Sequence, residues 1–393
     1  LDPGVDIGGF LLAFAAALIG ARLLGEAVQR LGQPAVLGEL LAGVVLGPSV
    51  LGLVPVSASI FVLAEIGVIL LLFEVGLETD LEELTHVGGT GLAVALAGMV
   101  LPFAGGYAVT RALGYSNLTA IFVGATLTAT SIGITARVLS QIGALETREG
   151  RVILSAAVVD DVLGLVVLAV VSQIAQRGGF DAGIAVRAAF FSIGFLFLAI
   201  AIGIPLGHRL VRIVSRAKVR GVLLTAAVAF ALLIALAAKT AGSAPIVGAF
   251  AAGLVLARTN RRREIDGALK PLVDIFAPVF FVYVGTQVNV ALLNPFDSSN
   301  RAALLLALLL TVVGFLGKFA AGYAAWGGGL RRAFVGAGMV PRGEVGLIFA
   351  EAGRHSGALP EQVFAASVVA VFATTFLAPP LLKMLRPHEA QRS

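Results

Sequence analysis

Runs of about 20 mostly apolar residues, separated by short polar and basic stretches, recur from one end of the chain to the other, and each is long enough to cross a bilayer as a helix. Thirteen such segments are expected, at about 8–29, 35–53, 57–77, 88–110, 117–140, 150–173, 184–208, 220–238, 242–258, 270–291, 302–326, 330–352 and 361–383. Pro48 and neighbouring glycines interrupt the second, and Gly242 divides the eighth from the ninth. The fold class that follows is an all-α polytopic membrane protein.

Composition agrees with the pattern. Of the 393 residues 58% are hydrophobic and 13% charged, against roughly 45–50% apolar and 25% charged in a soluble domain. The 48 glycines suit helices packed backbone to backbone in lipid. With no cysteine, disulfides and thiolate metal sites are excluded. The four histidines are scattered and no HExxH motif occurs, so zinc chemistry is not expected. The chain opens at Leu1, and residues 1–9 are too polar for a signal core, so a trimmed start is expected.

Charge then orients the segments. Arg209, Arg212, Arg216, Lys218 and Arg220, and again Arg258, Arg261, Arg262, Arg263 and Lys270, cluster in loops on one side, where Arg30, Arg148, Arg151, Arg331 and Arg332 also fall. The opposite side holds scattered residues such as Arg111, Lys239 and Arg301. Basic loops stay cytoplasmic, which puts the N-terminus outside and the C-terminus inside an inner membrane. The net charge of +5 reports this topology, and no nucleic-acid partner is expected.

An odd count of segments permits an inverted repeat, segments 1–6 against 8–13 with the seventh as linker, the plan of many secondary transporters. The fifth segment carries Thr126, Thr128, Thr130, Ser131 and Gly133, and the twelfth carries Gly336, Gly338, Pro341, Arg342, Gly343 and Glu344. Both read as helices broken in mid-membrane, where hydroxyls can satisfy freed backbone groups or face an ion.

Two adjacent carboxylates, Asp160 and Asp161, lie inside the apolar run from Ile153 to Val171. A charge at the centre of an inserted helix costs on the order of 2.5–3.5 kcal/mol even on the mildest scale. Carboxylate, hydroxyl and carbonyl oxygens together can offset dehydration of a monovalent cation, and the same carboxylates can take protons instead. Lys318, centred in FLGKFAAG, is an available partner; it reads either as a permanent salt bridge or as a proton carrier. The plainer reading of the whole pair is interhelical glue. Arg342 and Glu344 flank the second break as a supporting ion pair. Glu74 and Glu78, followed by Asp80, Glu82 and Glu83, read either as a cation-attracting cytoplasmic funnel or as a solvated helix end.

LFEVGLETDL at 72–81, TLTATSIGITARVL at 126–139, VVDDVLGL at 158–165 and PVFFVYVGTQVN at 278–289, with the segment-11 lysine, resemble the cation:proton antiporters, specifically the aspartate-pair, electrogenic sodium/proton type. The resemblance implies a homodimer exchanging sodium or lithium for protons across the cytoplasmic membrane by alternating access. It implies dimerisation helices at 1–82 and 219–298, a core transport domain at 83–178 and 299–393, and a linker at 179–218. By position, Asp161 is the cation and proton carrier, Asp160 the partner of Lys318, and Thr130 and Ser131 the polar crossover. No cofactor is implied beyond the transported ions, and no enzymatic activity. A potassium/proton antiporter of the same family is the alternative, which the lack of a nucleotide-binding domain after segment 13 disfavours. A cation channel fits less well, because the acidic pair occurs once and beside a lysine. An intramembrane aspartyl protease needs two aspartates facing each other from separate helices.

Overall fold

Hydrocarbon offers no hydrogen-bond partner to a polypeptide backbone, so a chain this apolar closes its bonds within helices. The structure, a computed structural model, describes residues 7–79, 88–145, 147–176, 182–214, 221–241, 245–297 and 300–386. Among the described residues there is no strand. In chain order the helices are α1 (Ile7–Arg30), α2 (Ala35–Leu46), α3 (Ala58–Glu78), α4 (Gly89–Ala112), α5 (Asn117–Thr126), α6 (Ile132–Gln141), α7 (Arg148–Gln176) and α8 (Ala182–Val214). They continue with α9 (Val222–Thr240), α10 (Pro245–Ala257), α11 (Arg262–Thr286), α12 (Arg301–Ala321), α13 (Arg332–Met339), α14 (Glu344–His355) and α15 (Glu361–Met384).

Each expected segment contains helix, and the largest shifts in boundary fall in the second and the tenth. The second segment stops at Leu46, before Pro48, so α2 is only 12 residues long. The tenth starts at Arg262 rather than 270. Its first turns, RREIDGALK, are too charged to read as membrane-spanning, yet Glu264 pairs with Arg261 and Lys270 with Asp266 one turn apart, which supports helix outside the apolar span. Two of the helices are capped by hydroxyls: Ser57 accepts from the Ile60 amide at the start of α3 and Ser116 from the Thr119 amide at the start of α5.

The chain divides into two compact units, 1–81 with 186–290 and 82–185 with 291–393. In the first unit, α3 packs on α10 and α11, and α2 on α1 and α11. These contacts run through glycine. A Cβ on Gly43 would sit 2.1 Å from the Val282 carbonyl oxygen, and one on Gly285 would sit 2.2 Å from that of Leu40. Neither backbone can retreat without parting α2 from α11. Gly43→Ala is therefore expected to cost about 1–3 kcal/mol, read as a lowered melting transition of the detergent-solubilised protein; an unchanged transition would show the two helices to be loosely apposed.

The second unit repeats one motif. A long helix, a broken helix and another long helix occur as α4, α5–α6 and α7, and again as α12, α13–α14 and α15. α4 packs on α12, and Gly317 of α12 admits Pro102 of α4, whose nitrogen would be 2.8 Å from a Cβ there. This arrangement places both breaks inside the unit.

Candidate functional site

The breaks cross each other through specific bonds. Helix α5 ends at Thr126 and α13 at Met339, leaving 127–131 and 340–343 as non-helical backbone that must find partners within the protein. The Ser131 amide donates to the Pro341 carbonyl at 2.9 Å, joining one break to the other. Thr130 Oγ1 donates to the Met339 carbonyl at 3.1 Å and Thr135 Oγ1 to that of Gly338 at 3.0 Å. Gly343 approaches so closely that a Cβ would lie 2.7 Å from Ser131 Oγ. Thr130 and Ser131 are both buried. The Thr130 hydroxyl and the Ser131 amide thus hold the crossing, while the Ser131 hydroxyl accepts from the Ile134 amide at the start of α6.

Beside the crossing, α7 carries the aspartates. Asp160 is 0% exposed and Asp161 8%; successive residues point about 100° apart, so the two carboxylates meet different surroundings. Lys318 of α12, also 0% exposed, donates from Nζ to Asp160 Oδ2 at 2.6 Å. That pairing joins residues 158 apart in sequence. Gly98 of α4 flanks it, since a Cβ there would be 3.5 Å from the Lys318 ammonium. The other Asp160 oxygen, Oδ1, is buried with no protein hydrogen-bond partner among the described residues.

Arg342 reaches the same region. Its guanidinium donates from Nη2 to the Gly314 carbonyl at 3.0 Å and from Nη1 to the Ala129 carbonyl at 3.4 Å. Glu344 begins α14, and its side chain lies outside the described residues, as does Glu146 and the acidic stretch 80–83. Thr375 of α15, which no motif singled out, brackets Arg342: its Oγ1 accepts from the Arg342 amide at 3.2 Å and donates to the Arg342 carbonyl at 2.6 Å. The only sequence signal for it was a threonine pair in the otherwise apolar FATTFLAPP.

Glu74 and Glu78 belong to the first unit, whereas the aspartates belong to the second. With Asp266 of α11 their carboxylate oxygens lie within 4.8 Å of one another. Lys270 bridges Glu78 at 3.4 Å and Asp266 at 3.0 Å, and Arg262 donates to the Glu78 carbonyl. The acidic group is therefore part of a mixed-charge cluster at the ends of α3 and α11.

Chemically, the region beside the crossing brings together the buried carboxylates of Asp160 and Asp161, the Lys318 ammonium and the Arg342 guanidinium among hydroxyl and carbonyl oxygens. Such a set can hold a small monovalent cation or a proton at a carboxylate.

Comparison with known proteins points the same way. The family described as "Sodium/hydrogen exchanger, transmembrane" matches residues 13–385. The high-affinity sodium/proton antiporter NhaS3 of Synechocystis sp. is 40% identical, over 96% of this chain and 90% of that protein. The sodium/proton–potassium antiporter GerN of Bacillus cereus is 37% identical, over 95% of each. In fold, the chain is similar to the sodium proton antiporter MjNhaP1 of Methanocaldococcus jannaschii at pH 8, with a TM-score of 0.74 over 96% of this chain and 98% of that one, at 16% identity.

Proposed function

The chain belongs to the transmembrane sodium/hydrogen exchanger family, and we propose that it exchanges sodium or lithium for protons across the cytoplasmic membrane with Asp161 as the carrier. The observation that carries the residue assignment is the asymmetry of the aspartates: Asp160 is sealed and held by Lys318, while Asp161 keeps 8% exposure. A carrier group must be reached by ions; a group locked at 2.6 Å to an ammonium in the interior is the poorer candidate.

The second unit, which contains every residue of the aspartate site, is the moving element of an alternating-access cycle. The first unit is the dimerisation scaffold of a homodimer, and the N-terminus is outside, with the basic loops cytoplasmic. Sodium and protons compete at the same carboxylate, and the Lys318–Asp160 pair parts when the cation binds, so that more protons than cations cross per cycle. No covalent step is involved and no cofactor is required.

Purified protein in liposomes carrying an imposed pH gradient tests this reading. Addition of sodium or lithium chloride is expected to dissipate the gradient, and choline chloride to leave it. Potassium is the competing cargo, because GerN is named for potassium as well as sodium; dissipation by potassium alone would replace sodium with it. Competition has a sign that can be checked. When one proton displaces one cation, each unit fall in pH raises the apparent KM for sodium toward tenfold. A KM that ignores pH would show that the two ions do not share a group.

A further inference from the structure

A guanidinium inside a membrane unit needs oxygen around it, and that of Arg342 has two backbone carbonyls within reach. The residue is 0% exposed. The Ala129 and Gly314 carbonyls take its Nη1 and Nη2, Thr375 Oγ1 brackets its backbone, and Asp160 lies within its electrostatic reach. Its Nε is buried with no protein partner among the described residues, as is Asp160 Oδ1. Ala129 follows the C-terminal end of α5, where unpaired carbonyls make the helix end negative. Carbonyl oxygens are donors that hard cations take, yet here two of them hold a charge the protein never releases, since arginine stays protonated.

On the antiport reading above, we infer that Arg342 is a built-in cation of the transport site: its guanidinium fills an oxygen-lined position beside Asp160 that a second transported cation would otherwise enter. Asp160 and Asp161 together carry two negative charges. Lys318 and Arg342 supply two positive ones. With Arg342 fixed in place, the site has room for one cargo ion, at Asp161. Arg342 is thus a specificity-determining residue that acts through the charge and space it occupies at the crossing. Gly314 is part of the same arrangement, because a Cβ there would lie 3.4 Å from Nη2.

Chemical rescue separates charge from scaffolding. Arg342→Ala in liposomes is expected to lose sodium-dependent exchange by about tenfold or more. Guanidinium chloride at a low, non-denaturing concentration restores it, and urea, the neutral molecule of the same shape, does not. Binding of radioactive sodium to the purified variant without guanidinium is expected to double relative to wild type. Unchanged exchange in Arg342→Ala, equal rescue by urea, or no rescue of a folded variant overturns the inference. Should Arg342→Ala not fold, Arg342→Lys and Arg342→Met keep the question open to test: at equal amounts of folded protein the lysine variant retains exchange and the methionine variant loses it, and equal behaviour of the two overturns the inference. A wild-type chain without sodium-dependent exchange sinks the antiport reading itself. Normal wild-type exchange with a flat Arg342 series sinks only the built-in cation.

Discussion

Asp161→Asn abolishes sodium-dependent dissipation of a pH gradient while leaving the protein folded. The amide is nearly isosteric with the carboxylate, so packing around α7 changes little. What disappears is the negative charge that offsets cation dehydration and the oxygen that takes a proton. Loss of that charge opposite a dehydrated monovalent ion removes several kcal/mol of binding, which is 10²-fold or more in affinity on the scale of about 1.4 kcal/mol per tenfold. Gradient dissipation in liposomes and sodium binding to the purified variant measure the two consequences separately. Unaltered exchange in Asp161→Asn would remove the proposed carrier, and conduction orders of magnitude faster than a carrier cycle would replace the antiporter with a channel.

The second large effect falls on the buried pair. Lys318→Gln leaves Asp160 in the interior without the ammonium now 2.6 Å from it. Removing one member of a buried pair costs about 3–5 kcal/mol, most of it the penalty of the stranded charge, so the melting transition drops substantially. Exchange itself is expected to continue, because Asp161 remains, but to stop responding to an imposed membrane potential. That second readout decides between the two readings of Lys318. A variant that unfolds sooner and still responds to the potential makes the bond a structural tie. One that loses the response makes the lysine part of coupling. Lys318→Arg, which keeps the charge with a different fork of donors, serves as the folded control.

Much of this site was legible in the chain because the relevant physics is local. A helix in lipid satisfies its backbone within its own segment, so the apolar runs reveal α1, α3, α4, α7, α12 and α15 without reference to any partner. A charge in such a run is expensive wherever the helix packs, which is why Asp160, Asp161 and Lys318 stood out. The breaks were visible for the same reason, as hydroxyls and glycines in α5–α6 and glycines and a proline in α13–α14. The start of α11 was misplaced by about two turns, since a helix that continues past the bilayer is held by ion pairs such as Lys270–Asp266 rather than by hydropathy.

Who partners whom did not follow from the residues themselves: the family resemblance implied that Asp160 pairs with Lys318, and the tertiary structure supplies the physical contact. Asp160 rather than Asp161 takes Lys318, across 158 residues. Adjacent positions on one helix differ only in direction, and direction acquires meaning once α12 is packed beside α7. The same holds for Arg342, which is tied to the carbonyls of Ala129 and Gly314 and to Thr375. Backbone carbonyls carry no signature in the sequence, because every residue has one; which of them lie open to a guanidinium depends on where helices end and what crosses them. The chain by itself determined that this is a membrane helix bundle with a costly pair of aspartates. Folding the second unit around its two crossed breaks made that pair unequal.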